Sequence, residues 1–439
     1  MLGAIYLTAF VSFGVQAPGL IGSHGILPFA AYLNSVRASV GLDWWDVPTI
    51  LWLHPSDSAL TAVGVAGTVC ALAAVFGLWQ RAALAVCLVL WISLCAVGQD
   101  FLSFQWDVLL SEAGFLAIFA DRSPIRIWLF RWLIFRLMIF SGAVKLLSGD
   151  HAWRDLTALH YHYETQPLPT PLAWYMYQLP FGFQKASTAF VFAGELLVPF
   201  LFFGPRRLRH AGAWITIALQ VLILLTGNYT LFNFLTIALA MFLFIEPQWD
   251  RPEGASGTAH RVLSLALAVF IATASGLLCL ELISAPLPPG GSRFLHIVAP
   301  LRIVNSYGLF AVMTTERPEI IVEGSNDGQD WRAYEFPYKP GDLRRAPPMV
   351  EPHQPRLDWQ MWFAALASPQ QDPWFAHFIL RLLQGERSVL RLLRYNPFPD
   401  APPRYVRARL YLYHFTSFGA RDWWWREQRG LYFPAVSLK

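Results

Sequence analysis

A lysine that ends an apolar run is the residue of this chain best placed for acid–base chemistry. Lys145 lies near the end of the run at 125–147. A desolvated lysine shifts toward the neutral amine and can serve as a base. A lysine at a bilayer edge can instead snorkel its ammonium to water, and both readings stand. Its candidate intramembrane partners are Asp107, Glu112 and Glu195, each in or beside an apolar run, where an ionised carboxylate needs a counter-charge. Arg131 and Arg136 share the run with Lys145 and compete for the same carboxylates. Sequence alone does not assign the pairs.

The segment that follows, 148–184, is dense in His, Tyr, Trp and Pro. Connections of this length and composition are structured and functional more often than they are floppy. His160-x-His162-x-Glu164 would share one face on a strand, and His160 with Glu164 on a helix. The spacing is loose for metal ligation and the flanking tyrosines fit a membrane-interface belt. No metal site and no cofactor are expected. The candidate loop or client-facing residues are Trp153, His160, His162, Tyr163, Glu164 and Gln166 here, and Arg356, Asp358 and Trp359 in the segment RLDWQMW. Arg356 and Asp358 are expected to contact each other within an aromatic core or to meet a partner. Trp423-Trp424-Trp425 reads as a membrane anchor or a client patch. There is no G-x-S-x-G elbow and no phosphate-binding glycine loop, so hydrolase and NTPase readings have no support.

The elements that must position these residues are membrane helices. The chain has 439 residues, 55% hydrophobic and 14% charged, whereas soluble domains carry about a quarter charged residues. Apolar runs recur at about 1–17, 58–79, 82–98, 105–120, 125–147, 185–203, 211–226, 229–245 and 261–284. The expected fold is a polytopic α-helical membrane protein of about nine spans, with several of the runs short for a full crossing. Arg81, Arg122 with Arg126, the cluster Arg206–His210, and Arg251 with Arg261 fall in alternate connections. By the positive-inside tendency these face the cytoplasm. The N-terminus is then cytoplasmic, and 148–184 and everything after 285 lie outside, in a lumen or periplasm. The opening residues lack a basic n-region and a small-residue cleavage site, and read as a retained helix. The dispersed arginines and net charge of +4 argue against a nucleic-acid partner. Cys70, Cys87, Cys95 and Cys279 all sit in apolar runs with no C-x-x-C, as buried hydrophobes do.

After Pro286 the composition changes, and the expected division is a helical bundle at 1–285 and a β-rich extracytoplasmic domain with inserted helices at 286–439. Two β-type runs flank the turn Gly324-Ser-Asn-Asp-Gly328. Residues 357–366 and 372–385 have helical periodicity, with Asp372-Pro373 as cap and first-turn proline. Arg404–Thr416 alternates as a strand.

On the stretches YLTAFVSFGVQAPGLIGSHGILP, GQDFLSFQWDVLLSEAGFLAIF, SGAVKLLSGDHAWRDLTALHYHYETQPLPTPLAWY, PEIIVEGSNDGQDWRAYEFPYKPGD and PHQPRLDWQMWFAAL the chain resembles the lipase maturation factor family. The resemblance implies a chaperone-like protein of the ER membrane in eukaryotes, or of the cytoplasmic membrane in bacteria. It would assist the folding, assembly and secretion of a lipase client, and members of the family are not known as hydrolases. The early start in the first apolar run and the short C-terminal part resemble a bacterial-type member. Gly142, Lys145, Leu146, Asp150 and Trp153 are also similar, more distantly, to the transmembrane domain of vitamin K-dependent γ-glutamyl carboxylase. That similarity implies an alternative, a membrane enzyme acting on a quinone or other lipid-soluble substrate with Lys145 as base.

Overall fold

A computed structural model describes residues 1–40, 44–120, 123–247 and 256–438. Arg122 and Arg251 of the charge pattern lie outside the described residues. Among the described residues six helices are long and apolar enough to cross a membrane: Asp57–Val75, Gln80–Val97, Pro124–Leu147, Phe181–Phe203, Arg206–Thr226 and Arg261–Leu282. The chain is a multi-pass membrane protein. Among the described residues the expected nine spans are not matched by nine helices of spanning length. The runs at 1–17, 105–120 and 229–245 form the shorter helices Leu2–Gly14, Gln105–Ile118 and Leu231–Phe244. An α-helix rises about 1.5 Å per residue, so these are shorter than the roughly 30 Å hydrocarbon layer. Each packs well into the bundle, with Tyr6, Phe10, Trp106, Asp107, Leu231 and Leu235 all buried.

Local signals set the helix ends. The Ser56 side chain accepts from Ala59 N at the start of Asp57–Val75, and Thr170 accepts from Ala173 N ahead of Pro171, each occupying an N-cap position. Leu2–Gly14 lies close against Asp57–Val75 because Gly67 has no side chain. A Cβ there would fall 2.3 Å from the Phe10 ring.

The C-terminal part carries a small antiparallel sheet. Strands β1 (Pro318–Ser325), β2 (Arg332–Ala333), β3 (Tyr405–Phe415) and β4 (Trp424–Val436) lie in the order β2-β1-β3-β4. The turn between β1 and β2 is set by Asp327, whose Oδ1 accepts from Gln329 N and Asp330 N, and by Gly328 at φ +76°. Helices Arg356–Leu366 and Pro373–Gln384 are inserted between β2 and β3. Asp372 takes the N-cap position of the second and Pro373 its first turn, although the Asp372 side chain makes no capping hydrogen bond.

Strand geometry divides the tryptophan trio that sequence treats as one patch. Successive strand residues point to opposite faces. Trp424 is therefore buried against Tyr413 and Phe415, while Trp425 faces outward and stacks on His414 at 4.2 Å. Trp423, just before β4, packs on Trp174 of the 148–184 segment. Residues on both sides of position 285 share one apolar core, which joins Trp359 and Met361 to Trp106 and Phe101.

Candidate functional site

The carboxylates Asp107, Glu112 and Glu195 are each paired with a cation from another helix. Lys145, in the last turn of Pro124–Leu147, is 4% exposed. Its Nζ donates to Glu195 Oε1 at 2.9 Å, Glu195 Oε2 at 2.8 Å and Ser141 O at 2.9 Å. An ammonium has three protons, and three acceptors use them. Lys145 is thus held by both oxygens of Glu195 and by the Ser141 carbonyl. The Trp153 ring covers it, with Nζ 5.2 Å from the ring centroid.

Glu195 is positioned by irregular backbone. Residues Ala193–Leu197 form a π-helical turn inside Phe181–Phe203, followed by the 3-10 segment Val198–Phe203. Such bulges rotate side chains out of α-helical phase and are frequent at functional sites. Gly142 permits the approach on the lysine side. A Cβ there would meet Leu196 at 2.7 Å and the Glu195 Cβ at 3.0 Å, so any larger residue would push the two helices apart.

The 148–184 segment folds into short capped helices over this end of the bundle. Asp150 caps His151–Arg154 by accepting from Ala152 N, and Trp153 Nε1 donates to Phe310 O at 2.9 Å. Helix Ala158–Thr165 then spreads the expected His-x-His-x-Glu cluster. His160 stacks with Tyr177 and meets Phe181 edge-on. Glu164 accepts from Phe415 N and faces His414. Tyr163 is buried in the cluster that joins Trp174 to Tyr413 and Trp424. No group of three His, Cys, Asp or Glu suited to a metal occurs among the described residues.

His162 can be assigned a tautomer from its neighbours. Gln166 Nε2 donates to Thr226 O at 2.9 Å, which leaves Oε1 to accept from Tyr229 Oη–H at 3.1 Å. Tyr229 has one proton, so at 3.2 Å it accepts from His162 Nε2–H. His162 Nδ1 is then a bare acceptor, buried and without a partner among the described residues. Burial, reinforced by the positive charge of Lys145, holds the imidazole near pKa 4, below its ordinary 6.5.

This depression has a measurable consequence. The folded protein keeps His162 neutral while the unfolded chain protonates near pH 6.5, so stability contributed by neutral His162 is full above pH 6.5. It is lost as pH falls toward 4. Asp358, raised to about 6, and Glu351, raised to about 7, both by burial, act in the opposite direction. The effect is therefore read as a difference. Between pH 7 and pH 5, thermal denaturation in detergent should weaken wild type relative to His162→Asn by up to about 2 kcal/mol. Parallel curves for the two proteins would show that His162 does not titrate in this window.

Lys145, Glu195, Trp153, His162 and Tyr229 line one cavity of about 500 Å³. The remaining wall is mostly Leu, Met, Ile and Phe from Pro124–Leu147, Phe181–Phe203 and Arg206–Thr226, with Gln220 and Asn233 among its polar members. Volume and composition fall in the range of small-molecule sites. Gln166 supports the wall through Tyr229, while His160, Tyr177 and Glu164 stand outside it.

The other candidate residues form two further buried pairs. Arg356 Nη1 and Nη2 donate to Asp107 Oδ2 and Oδ1 at 2.6 and 2.8 Å, a bidentate pair 249 residues apart in sequence. This corrects the expected Arg356–Asp358 contact. Residues two apart on a helix point away from each other. Asp358 accepts instead from Tyr338 N and Lys339 N, both at 2.8 Å. Trp359 packs edge-on against Trp106 at 4.8 Å. Arg356, Asp358 and Trp359 are all 3% exposed or less. The segment is a buried clamp and not an accessible surface. Glu112 pairs with Arg136 and accepts from Asn305 N and Tyr307 Oη.

The family models for the lipase maturation factor transmembrane domain and C-terminal domain match residues 1–251 and 303–434. The chain belongs to the lipase maturation factor family. It is 37% identical to lipase maturation factor 2 of Gallus gallus over all of this chain and 80% of the relative. For lipase maturation factor 2 of Homo sapiens the identity is 37% over all of this chain and 82% of the relative. Lipase maturation factor 1 of Bos taurus is 36% identical over 99% of this chain and 87% of the relative. No solved structure matches. These matches lend no support to the carboxylase-like alternative.

In this lipase maturation factor family member several site residues escape sequence reading. Arg317 donates to Glu164 O and Pro167 O and pairs with Glu319, stapling the 164–167 backbone to β1. Asn228 accepts from Val350 N at 2.8 Å and donates to Leu168 O and Pro348 O. Tyr229 and Asn233 complete the cavity. For Asn228 and Tyr229 the sequence signal is the polar Gly-Asn-Tyr-Thr interruption at 227–230 between two apolar runs.

Proposed function

We propose that this chain is a membrane-bound maturation factor that assists the folding, assembly and secretion of lipases. The observation that carries the reading is similarity along the whole chain to proteins named lipase maturation factors, with both parts of the family matched. In this reading a helical bundle through residue 285 carries a sheet-bearing module from 286 onward.

The arginines support an orientation. Arg81 donates to Ala120 O, Arg126 to Phe119 O, Arg131 to Ile245 O and Arg209 to Leu243 O. All four lie at one end of the bundle, opposite Lys145, the 148–184 segment and the sheet. By the positive-inside tendency the arginine end is cytoplasmic. The three short helices then also pass from one end to the other, for nine crossings and an extracytoplasmic sheet. On that side Tyr175, Phe418 and Trp425 present exposed rings, an aromatic surface that could shield apolar parts of a half-assembled client. The membrane is that of the ER in a eukaryotic cell and the cytoplasmic membrane in a bacterial one.

The test is secreted-lipase activity per unit of lipase protein in a host lacking the gene, with and without the restored wild type. A fall in specific activity that the wild type reverses is expected. Unchanged specific activity in the deletion host would overturn the reading. A tag after Lys439 should be protected from protease added to the cytoplasmic side.

A further inference from the structure

The client-shielding reading does not use the interior of the cavity at Lys145, which shares only Tyr175 with that surface, and the geometry of the interior specifies an occupant. The first half of Phe181–Phe203 stands away from Arg206–Thr226. The two helices pack chiefly through 193–203. The gap between them is the cavity mouth, flanked by Phe183 and Phe190 on one helix and Leu222 and Leu225 on the other, all facing outward. On membrane-spanning helices such a mouth opens toward lipid. The volume of about 500 Å³ holds one small amphiphile.

The polar wall is gathered where Pro124–Leu147 and Arg206–Thr226 end and Leu231–Ala240 begins, which is the headgroup side of the layer. Its charges are already satisfied, because Lys145 and Glu195 neutralise each other. Two acceptors on this wall have no partner among the described residues. Asn233 is fully buried, its amide nitrogen donates to Gln220 Oε1 at 2.7 Å, and its Oδ1 has no partner. His162 Nδ1 is the second. A buried acceptor left unmade costs roughly 1–3 kcal/mol, and donors are what both lack. An anionic headgroup would compete with Glu195 for Lys145 and leave that carboxylate without a cation.

We propose that this cavity binds a neutral lipid with one acyl chain and a hydroxyl-bearing headgroup, of the monoacylglycerol class. Its hydroxyls donate to Asn233 Oδ1 and His162 Nδ1, and its chain runs out between the Phe190 and Leu222 walls. Binding is a property of the purified protein and does not rest on the lipase reading, so either can fail alone.

The experiment places the full-length protein in phosphatidylcholine nanodiscs with a monoacylglycerol that carries a photoreactive diazirine in its chain. Three competitors share one chain: monooleoylglycerol, methyl oleate and oleate. Expected are saturable labelling on peptides from 137–145 and 219–233, and competition by monooleoylglycerol at concentrations about tenfold below the other two. Asn233→Leu should weaken labelling about tenfold, the loss of about 1.4 kcal/mol of binding, with an unchanged melting temperature. If Asn233→Leu does not fold, Leu222→Trp, which fills the mouth from the outward side, must reduce labelling instead. Equal competition by methyl oleate would overturn headgroup recognition. Preference for oleate would make Lys145 an anion site, and labelling that does not saturate would mean bilayer contact only. Each of these sinks the proposal.

Discussion

Arg356→Met should destabilise this protein by about 3–5 kcal/mol, the ordinary cost of leaving one member of a buried ion pair without its partner. Asp107 is fully buried, and both its oxygens are held by the Arg356 guanidinium. Removing that cation strands a carboxylate among Phe104, Trp106 and Trp359. The same change also releases the Phe101 carbonyl that Arg356 Nη1 reaches at 3.2 Å. The double variant Arg356→Met with Asp107→Leu should recover most of the loss, since apolar replacement of both partners is often neutral. Thermal unfolding in detergent of the four proteins of the cycle measures this. A single variant within about 0.5 kcal/mol of wild type, the range of surface changes, would mean that the clamp does not hold the inserted helix to the bundle.

Lys145→Met carries a comparable expectation and bears on function. If Lys145 were a snorkelling residue, its loss would cost less than about 1 kcal/mol. Buried against both oxygens of Glu195, its removal should cost about 3–5 kcal/mol. Lys145→Met with Glu195→Leu should then restore abundance and melting temperature. Lipase specific activity in the deletion host separates two roles for the pair. Recovery of activity together with abundance would assign it to holding the helices. Lost activity at restored abundance would assign it to what occupies the cavity. A single variant as stable as wild type would show that the pair is not formed.

The sequence by itself determined the class of the fold and the family. Run length and hydropathy specify membrane helices because a bilayer demands long apolar segments with their backbone bonds made internally. Turn residues such as Asp327 and Gly328, and the alternation in Tyr405–Phe415, specify strands because both act within a few residues. Sequence also indicated that Asp107, Glu112 and Glu195 need counter-charges, a demand set by desolvation alone.

Tertiary structure alone decided which cation each carboxylate receives. Arg356 reaches Asp107 across 249 positions, and Lys145 reaches Glu195 across 50. No local rule ranks Arg131, Arg136, Arg356 and Lys145 as partners, because the choice depends on where the helices come together. The same holds for Glu195, whose direction is set by a π-helical turn, and for Trp423, Trp424 and Trp425, which strand geometry sends to different surroundings. The cavity was hidden for the same reason. It is the space left where two helices diverge, and its unpaired acceptors, Asn233 and His162, are 71 positions apart in the chain and become neighbours only by packing.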